Sequence, residues 1–307
     1  MTSPVEISVV IPVLNEVENI PPLAQRLTTV LENYGHPFEI IFIDDGSRDG
    51  SYEFLKSIHQ VDPRTKAIRL SRHYGQTTAL VAGFDLAQGQ TIVAMDGDLQ
   101  FHPEDLPSLV DKLAEGYDLV NGWRDRSHDP TIRSLPSRIA GLMIASVSGL
   151  KLRDFGTTFK AYRRSLIQEM KLYGEQHRFI PVLASYYGAR MCEVQVQWSP
   201  RIHGKSHYGL DRTWRVLLDM ITVKFLLSYS SRPMRLFGAL GVICVGLGIL
   251  SGLLAIFLGT TLLILSALLI LMGVQFVSNG LLAEMLMRNY HEGGAVKPIY
   301  TIREIVQ

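Results

Sequence analysis

The sequence predicts an α/β protein: a mostly parallel sheet covered by helices on both faces, followed by a two-helix membrane hairpin. Three observations predict it. Short β-branched runs alternate with segments of helical apolar spacing through the first 122 residues, the pattern of repeated βα units. Polar and glycine residues gather directly after those runs, at the carboxyl ends of strands, where ligands bind in such sheets. From Leu236 to Ala283 there is no Asp, Glu, Lys or Arg, a stretch more than twice the roughly 20 apolar residues that one membrane span needs.

Taken in order, Glu6 to Val13 is rich in Val and Ile and reads as a first, buried strand. Ile20, Leu23, Leu27, Val30, Leu31 and Tyr34 then recur at helical spacing. The alternation continues as strand 38–43, helix 50–60, strand 66–70, helix 76–87, strand 91–95, helix 104–115 and strand 117–122. Strands buried on both faces read as continuous apolar runs, as these do.

Strand ends carry the polar chemistry. The first is followed by Leu14-Asn15-Glu16, the second by Asp44-Asp45-Gly46-Ser47, the third by Ser71-Arg72-His73-Tyr74-Gly75-Gln76, and the fifth by Arg124. Each has an ordinary alternative: Asp-Gly-Ser makes turns, Asn15 can cap a helix, and Arg72 can be a solvated loop charge. The fourth strand, Ile92-Val93-Ala94-Met95, delivers Asp96-Gly97-Asp98-Leu99-Gln100 to its end. Like charges this close repel unless a cation or a proton sits between them. Carboxylates are hard ligands suited to Mg²⁺ or Mn²⁺, which bind through one or two of them plus substrate phosphates. Asp-x-Asp is also common in loops, so the rest of the chain has to decide.

The 307 residues can hold one large or two modest domains, and a net charge of +1 gives no argument for nucleic acid. The apolar stretch divides into two spans, about 234–258 and 262–286, with a turn near Gly259-Thr260-Thr261. Arg212, Arg215, Lys224, Arg232 and Arg235 precede the pair, Arg288, Lys297 and Arg303 follow it, and the turn has no basic residue. The positive-inside rule therefore puts both ends in the cytoplasm, and Met1-Thr2-Ser3-Pro4 carries no signal-peptide pattern. Residues 213–230 set Trp214, Leu217, Leu218, Ile221, Phe225 and Tyr229 against Arg215, Asp219 and Lys224, as in an interfacial helix or an ordinary domain helix. Gly248-x-x-x-Gly252 and Gln275, Ser278 and Asn279 suit helix packing or self-association within the membrane. With only Cys192 and Cys244, no disulfide or thiolate metal site is expected.

Ile11-Pro12-Val13-Leu14-Asn15-Glu16, Asp44-Asp45-Gly46-Ser47-Arg48-Asp49-Gly50 and Asp96-Gly97-Asp98-Leu99-Gln100 with Pro103-Glu104 resemble the family-2 glycosyltransferases of GT-A fold. More narrowly, the chain resembles those that load a sugar onto a polyprenyl phosphate, such as dolichyl-phosphate mannose synthase and the bacterial undecaprenyl-phosphate glucosyl- and aminoarabinose-type transferases. The likeness includes Ser71 to Gln76, Asp154-Phe155-Gly156, Ala161-Tyr162-Arg163-Arg164, Phe179-Ile180-Pro181 and the terminal hairpin.

The resemblance implies roles residue by residue. Pro12, Leu14 and Glu16, with Asp44 or Asp45, would hold the base and ribose of a nucleotide-sugar, and Arg72, Gln76 and Gly97 belong to the same donor site. Asp96, Asp98 and Gln100 would hold Mg²⁺ or Mn²⁺ and, through it, the diphosphate, which Arg124 would also contact. Asp98 and Asp154 are the implied catalytic residues, with Asp154 a base or positioning group; holding an arginine is the alternative. Arg201, Lys205 and His207 lie in a segment resembling a loop that closes over the diphosphate, with His207 where lysine is usual. Arg126, Arg133 and Arg138, with Ser206, would cradle the acceptor phosphate, since arginine forks match phosphate oxygens; a basic surface loop near anionic lipid is the other reading. Gly97 stands where many relatives have alanine, and Phe101-His102 where prolines or polar residues are usual.

The expected organisation is a GT-A domain over 1–211, an interfacial segment over 212–233, a hairpin over 234–287 and a tail over 288–307 returning along the cytoplasmic surface. The expected activity is inverting transfer of one sugar, from a UDP-sugar, to undecaprenyl phosphate at the cytoplasmic face of the inner membrane. A GDP-mannose-dependent mannose synthase and a non-catalytic nucleotide-binding scaffold are the alternatives. A processive synthase is disfavoured by the absence of Gln-x-x-Arg-Trp.

Overall fold

In the computed structural model the described residues are 4–125, 150, 152–200, 233–292 (backbone only for 287–292) and 299–307. The predicted alternation is present. Strands β1 (Ile7–Val13), β2 (Phe38–Asp44), β3 (Thr65–Leu70), β4 (Thr91–Ala94) and β5 (Leu119–Arg124) are separated by helices α1 (Ile20–Tyr34), α2 (Ser51–Val61), α3 (Gln76–Leu86) and α4 (Leu106–Ala114). A 3₁₀ turn, Pro103–Asp105, leads into α4.

Side chains of β1 alternate between two cores, as the pleat requires. Val9, Ile11 and Val13 pack in one cluster with Leu23 and Leu27 of α1 and Leu109 of α4. Val10 points the other way, to a cluster holding Ala79, Leu80 and Phe84 of α3.

Beyond the predicted strands, β6 (Lys160–Arg163), β7 (Met191–Val196) and β8 (Ile302–Val306) complete an eight-stranded sheet in the order β7-β5-β6-β4-β1-β2-β3-β8. β1 pairs in parallel with both β2 and β4, as do β2 with β3 and β5 with β7. β6 is antiparallel between β4 and β5, and β8 is antiparallel on β3.

Within the expected tail over 288–307 the sequence announces no strand, yet Ile302–Val306 covers the edge of β3, whose backbone groups would otherwise lack sheet partners. The chain divides into two compact units, Met1–Asp219 with Pro298–Gln307, and Met220–Lys297.

The second unit contains helices Pro233–Leu258 and Thr260–Glu292, both long and apolar enough to cross a membrane. Most of their apolar residues are exposed, Ile256 at 74% and Phe257 at 84%, unlike those of a core helix. The two helices meet through small residues. A Cβ on Gly241 would sit 2.9 Å from the Gly273 carbonyl oxygen, and Ser266 Oγ donates to the Gly248 carbonyl at 2.7 Å. Gly248 and Gly252 both face Ser266, so this pair packs the hairpin on itself.

Candidate active site

The loops after β1, β2 and β3 are tied to one another through short polar side chains. Asn15 adopts a left-handed backbone (φ 56°), and its N–H donates to Ser47 Oγ at 2.9 Å while its Oδ1 accepts from Arg48 N–H at 2.9 Å. Glu16 N–H donates to Ser51 Oγ at 3.1 Å, and its carboxylate accepts from Asn19 Nδ2 at 2.5 Å. Gly46 sits against the next loop: a Cβ there would lie 2.8 Å from His73 N, at a φ of +84° that only glycine adopts without strain.

Asp44 and Asp45 are buried beneath these loops. Asp44 Oδ1 accepts from Ser47 N–H at 2.9 Å, and its other oxygen lies 3.4 Å from Arg69 Nε. Burial raises its pKa against the pull of those partners. Asp45 accepts from Tyr74 N–H at 2.7 Å and Gly75 N–H at 2.9 Å, and meets His73 Nδ1 at 2.7 Å. Its carboxylate therefore clamps the loop after β3.

Above them opens a cleft of about 540 Å³, lined by Leu14, Asn15, Gly46, Ser47, Arg48, Arg69, Leu70, Ser71, Arg72, His73 and Arg303. Of the expected donor residues, Leu14 and Arg72 line it directly; the Arg72 guanidinium lies 4.3 Å from the Tyr74 ring centre. Arg303 was not anticipated.

The acidic pair lies across β1 from this cleft, at the end of β4. Gln76, at the start of α3, donates through Nε2 to Asp96 Oδ1 at 2.7 Å, fixing a partly exposed carboxylate. Asp98 is buried, with Gln100 N–H donating to its Oδ1 at 3.2 Å. Gly97 packs on β1, where a Cβ would sit 2.7 Å from Val13 Cγ1. Leu99 is left-handed at φ 58°.

The unusual Phe101-His102 pair has a role here. Phe101 is buried 5.6 Å from Phe159 and bridges to Trp198, and His102 Nε2 lies 2.8 Å from Ser199 Oγ. Together with the Ser199 N–H to Gln100 carbonyl bond of 2.8 Å, they tie the acidic loop to residues 198–199.

Arg124 leaves the end of β5 and meets Asp154 through two bonds, Nε to Oδ2 at 2.7 Å and Nη2 to Oδ1 at 3.3 Å. Gly156 N–H also donates to Asp154 Oδ1, at 3.1 Å. The Asp154 backbone is held by Asn121 Nδ2, which donates to its carbonyl at 2.7 Å, and Glu193 of β7 accepts from the Arg153 N–H at 2.9 Å.

Two further groups escaped the sequence reading. One is Glu193. The other is Lys160, fully buried on β6 opposite Ala94 and Asn121, with its ammonium donating to the Thr157 carbonyl. Burial pulls Lys160 down to about 7, while the nearby Asp154 and Asp96 pull it up. A lysine inside the apolar run Phe159-Lys160-Ala161-Tyr162 was its only sequence signal.

Asp96, Asp98 and the Gln100 amide offer only oxygen to a cation, a donor set that suits Mg²⁺ or Mn²⁺. Among the described residues no group of three His, Cys, Asp or Glu side chains forms a metal cage. That is compatible with a cation held by one or two carboxylates and a substrate phosphate. Arg126, Arg133, Arg138, Arg201, Lys205, Ser206 and His207 lie outside the described residues, as does nearly all of the expected interfacial segment.

Residues 8–171 match glycosyl transferase family 2. Over 98% of its length the chain is 38% identical to dodecaprenyl-phosphate galacturonate synthase of Rhizobium johnstonii, covering 93% of that protein. It is 36% identical, again over 98% of its length, to undecaprenyl-phosphate 4-deoxy-4-formamido-L-arabinose transferase of Pseudomonas paraeruginosa, covering 90% of it. Among solved structures it is similar in fold to glucosyl-3-phosphoglycerate synthase of Mycobacterium tuberculosis, in complex with Mn²⁺, UDP and phosphoglyceric acid. The TM-score is 0.56 at 20% identity, over 72% of this chain and 78% of that one. With a mixed eight-stranded sheet similar in fold to glucosyl-3-phosphoglycerate synthase, a family match over residues 8–171 and relatives at 36–38% identity along 98% of its length, this protein is a GT-A glycosyltransferase that belongs to glycosyl transferase family 2.

Proposed function

We propose that this glycosyltransferase moves one sugar from a UDP-sugar to a polyprenyl phosphate at the cytoplasmic face of the inner membrane, inverting the anomeric centre. One arrangement carries the reading. A basic cleft over β1–β3 and an acidic pair at β4 lie side by side, in a chain with two membrane-length helices and relatives named for polyprenyl-phosphate transfer. The cleft suits the nucleoside, and the end of β4 suits the diphosphate.

The acceptor is itself a phosphate, carrying about −1.5 to −2 charges at pH 7 if it resembles other monoesters, so its oxygen needs little activation. It attacks the anomeric carbon as the bond to the nucleoside diphosphate breaks. A divalent cation on Asp96 and Asp98, with Gln100 beside them, would supply positive charge against the departing diphosphate. Gln76 orients Asp96 for that task. Asp154, engaged by both arms of Arg124, positions that guanidinium toward phosphate, which favours an orienting role over a general base.

The test is transfer by the purified full-length protein, in lipid nanodiscs, from a radiolabelled panel of UDP-sugars and GDP-mannose to undecaprenyl phosphate, with and without chelator. Labelled lipid from at least one UDP-sugar, lost with chelator, is the expected result. No transfer from any donor overturns the proposal, and transfer from GDP-mannose alone replaces the donor.

A further inference from the structure

Strand β8 follows the membrane-length helices in the chain and returns to the edge of β3, and its pairing there is irregular at one residue. Ile302 sits opposite Leu70 and Glu304 opposite Arg69, which leaves Arg303 with no opposite residue. A bulge of this kind re-aims the side chain of the extra residue, and bulges gather beside active sites. Here Arg303 lines the cleft formed by the loops after β1, β2 and β3.

The strand is firmly held around it. Ser71 N–H donates to the Thr301 carbonyl at 2.9 Å, Tyr300 OH donates to Asp85 Oδ2 at 3.0 Å, and Lys56 pairs with Glu304 at 2.6 Å. Glu304 is thus engaged by Lys56, and among the described residues Arg303 forms no ion pair.

Sheet order decides which part of a donor Arg303 could meet. β8 stands four strand spacings from β4, roughly 19 Å across the hydrogen-bonding direction, on the far side of the cleft from Asp96 and Asp98. Neither Asp44 nor Asp45 lines the cleft: both are buried, Asp44 against Ser47 and Arg69 and Asp45 against the loop after β3. Among the described residues that line the cleft there is no carboxylate, and the four arginines, Arg48, Arg69, Arg72 and Arg303, offer only donors. A guanidinium has five N–H donors and no acceptor, so it reads carbonyl oxygens such as those of a uracil, or stacks on the ring.

We propose that Arg303, delivered by the strand after the membrane helices, forms the outer wall of the nucleobase pocket and contacts the base of the bound donor. This rests on the nucleotide-sugar reading above. The experiment uses the full-length protein and its R303A, R303Q and R303K variants, with UDP, CDP, GDP and inorganic pyrophosphate as probes. It reads binding by calorimetry, donor KM and kcat, and thermal stability.

Loss of a charged donor should weaken UDP binding and raise the donor KM about tenfold in R303A and R303Q, with kcat within about twofold and R303K in between. Pyrophosphate, which lacks the nucleoside, should bind wild type and variants alike, and the preference for UDP over the other two nucleotides should shrink. R303Q keeps most of the stem, so it carries the comparison if R303A lowers thermal stability. Equal UDP affinity in wild type and R303Q overturns the proposal while leaving the nucleotide-sugar reading intact. Equal weakening of UDP and pyrophosphate also overturns it, by moving Arg303 to the diphosphate. A wild-type protein that binds no nucleotide overturns both.

Discussion

On one side of β1 the acidic pair is buried against its own loops; on the other, one member of the acidic pair stays partly exposed. Asp45 spends its carboxylate on two backbone N–H groups and an imidazole from the loop after β3, and Asp44 is buried against Ser47 and Arg69. Asp96 keeps a partly exposed carboxylate that Gln76 aims, with Asp98 two residues on and the Arg124–Asp154 pair at the end of β5. In sequence both stretches are two acids at the end of an apolar run. The difference shows that an acid at a strand end is assigned by what its oxygens already hold.

The largest effect that would test this contrast is expected from Asp96→Asn. In the proposed mechanism Asp96 would help to hold the cation that faces the departing diphosphate, so loss of its charge should cut kcat about 10³-fold with thermal stability unchanged, a magnitude typical of lost electrostatic stabilisation. Activity within tenfold of wild type would remove Asp96 from the chemistry.

Asp45→Asn should do the reverse. An amide offers one acceptor oxygen where the carboxylate accepted from several donors, so stability should fall by about 2–3 kcal/mol in denaturant unfolding. Unchanged stability would mean that Asp45 is no clamp.

A third probe is Lys160, which lies under the acidic side. Burial holds it near 7 in the folded protein, whereas the unfolded chain keeps its proton to the ordinary 10.5. Between those values the unfolded state binds the additional proton, so this group's contribution to stability rises with pH. The stability of wild type relative to Lys160→Met should therefore climb between about pH 7 and pH 10, and a flat difference would contradict a depressed lysine.

The smallest effect is expected at Gly97→Ala. The new methyl meets Val13 Cγ1, so about 1 kcal/mol should be lost, and Val13→Ala in the same chain should recover part of it. Additive losses would mean that the two residues do not touch.

Much of the fold was legible because its signals are local. β1 to β5 are continuous apolar runs, and their helices carry the 3.6-residue period. The hairpin stands out by the absence of charge. What was missed depends on partners distant in sequence. β6 is four residues long and is a strand because β4 and β5 flank it. β8 was missed because nothing nearby indicates that β3 has an open edge. Lys160 sits on β6 and Glu193 on β7, which was missed for the same reason, so their approach to Asp154 could not be anticipated. For Asp44 and Asp45 the sequence located the residues and left open which way the oxygens turn, a matter of burial.

The bulged strand on β3 also sets an order of events. Ala67 and Val306 are neighbours separated by more than two hundred residues, and the two membrane-length helices are synthesised between them. Chains fold largely from the amino terminus during synthesis, so β1 to β7 can assemble while β3 still has an open edge. The sheet closes, and Arg303 reaches the cleft, only after the ribosome has made the hairpin. The wall that Arg303 would give the proposed donor pocket would thus be its last part to form, at a time when the hairpin is already available to the bilayer.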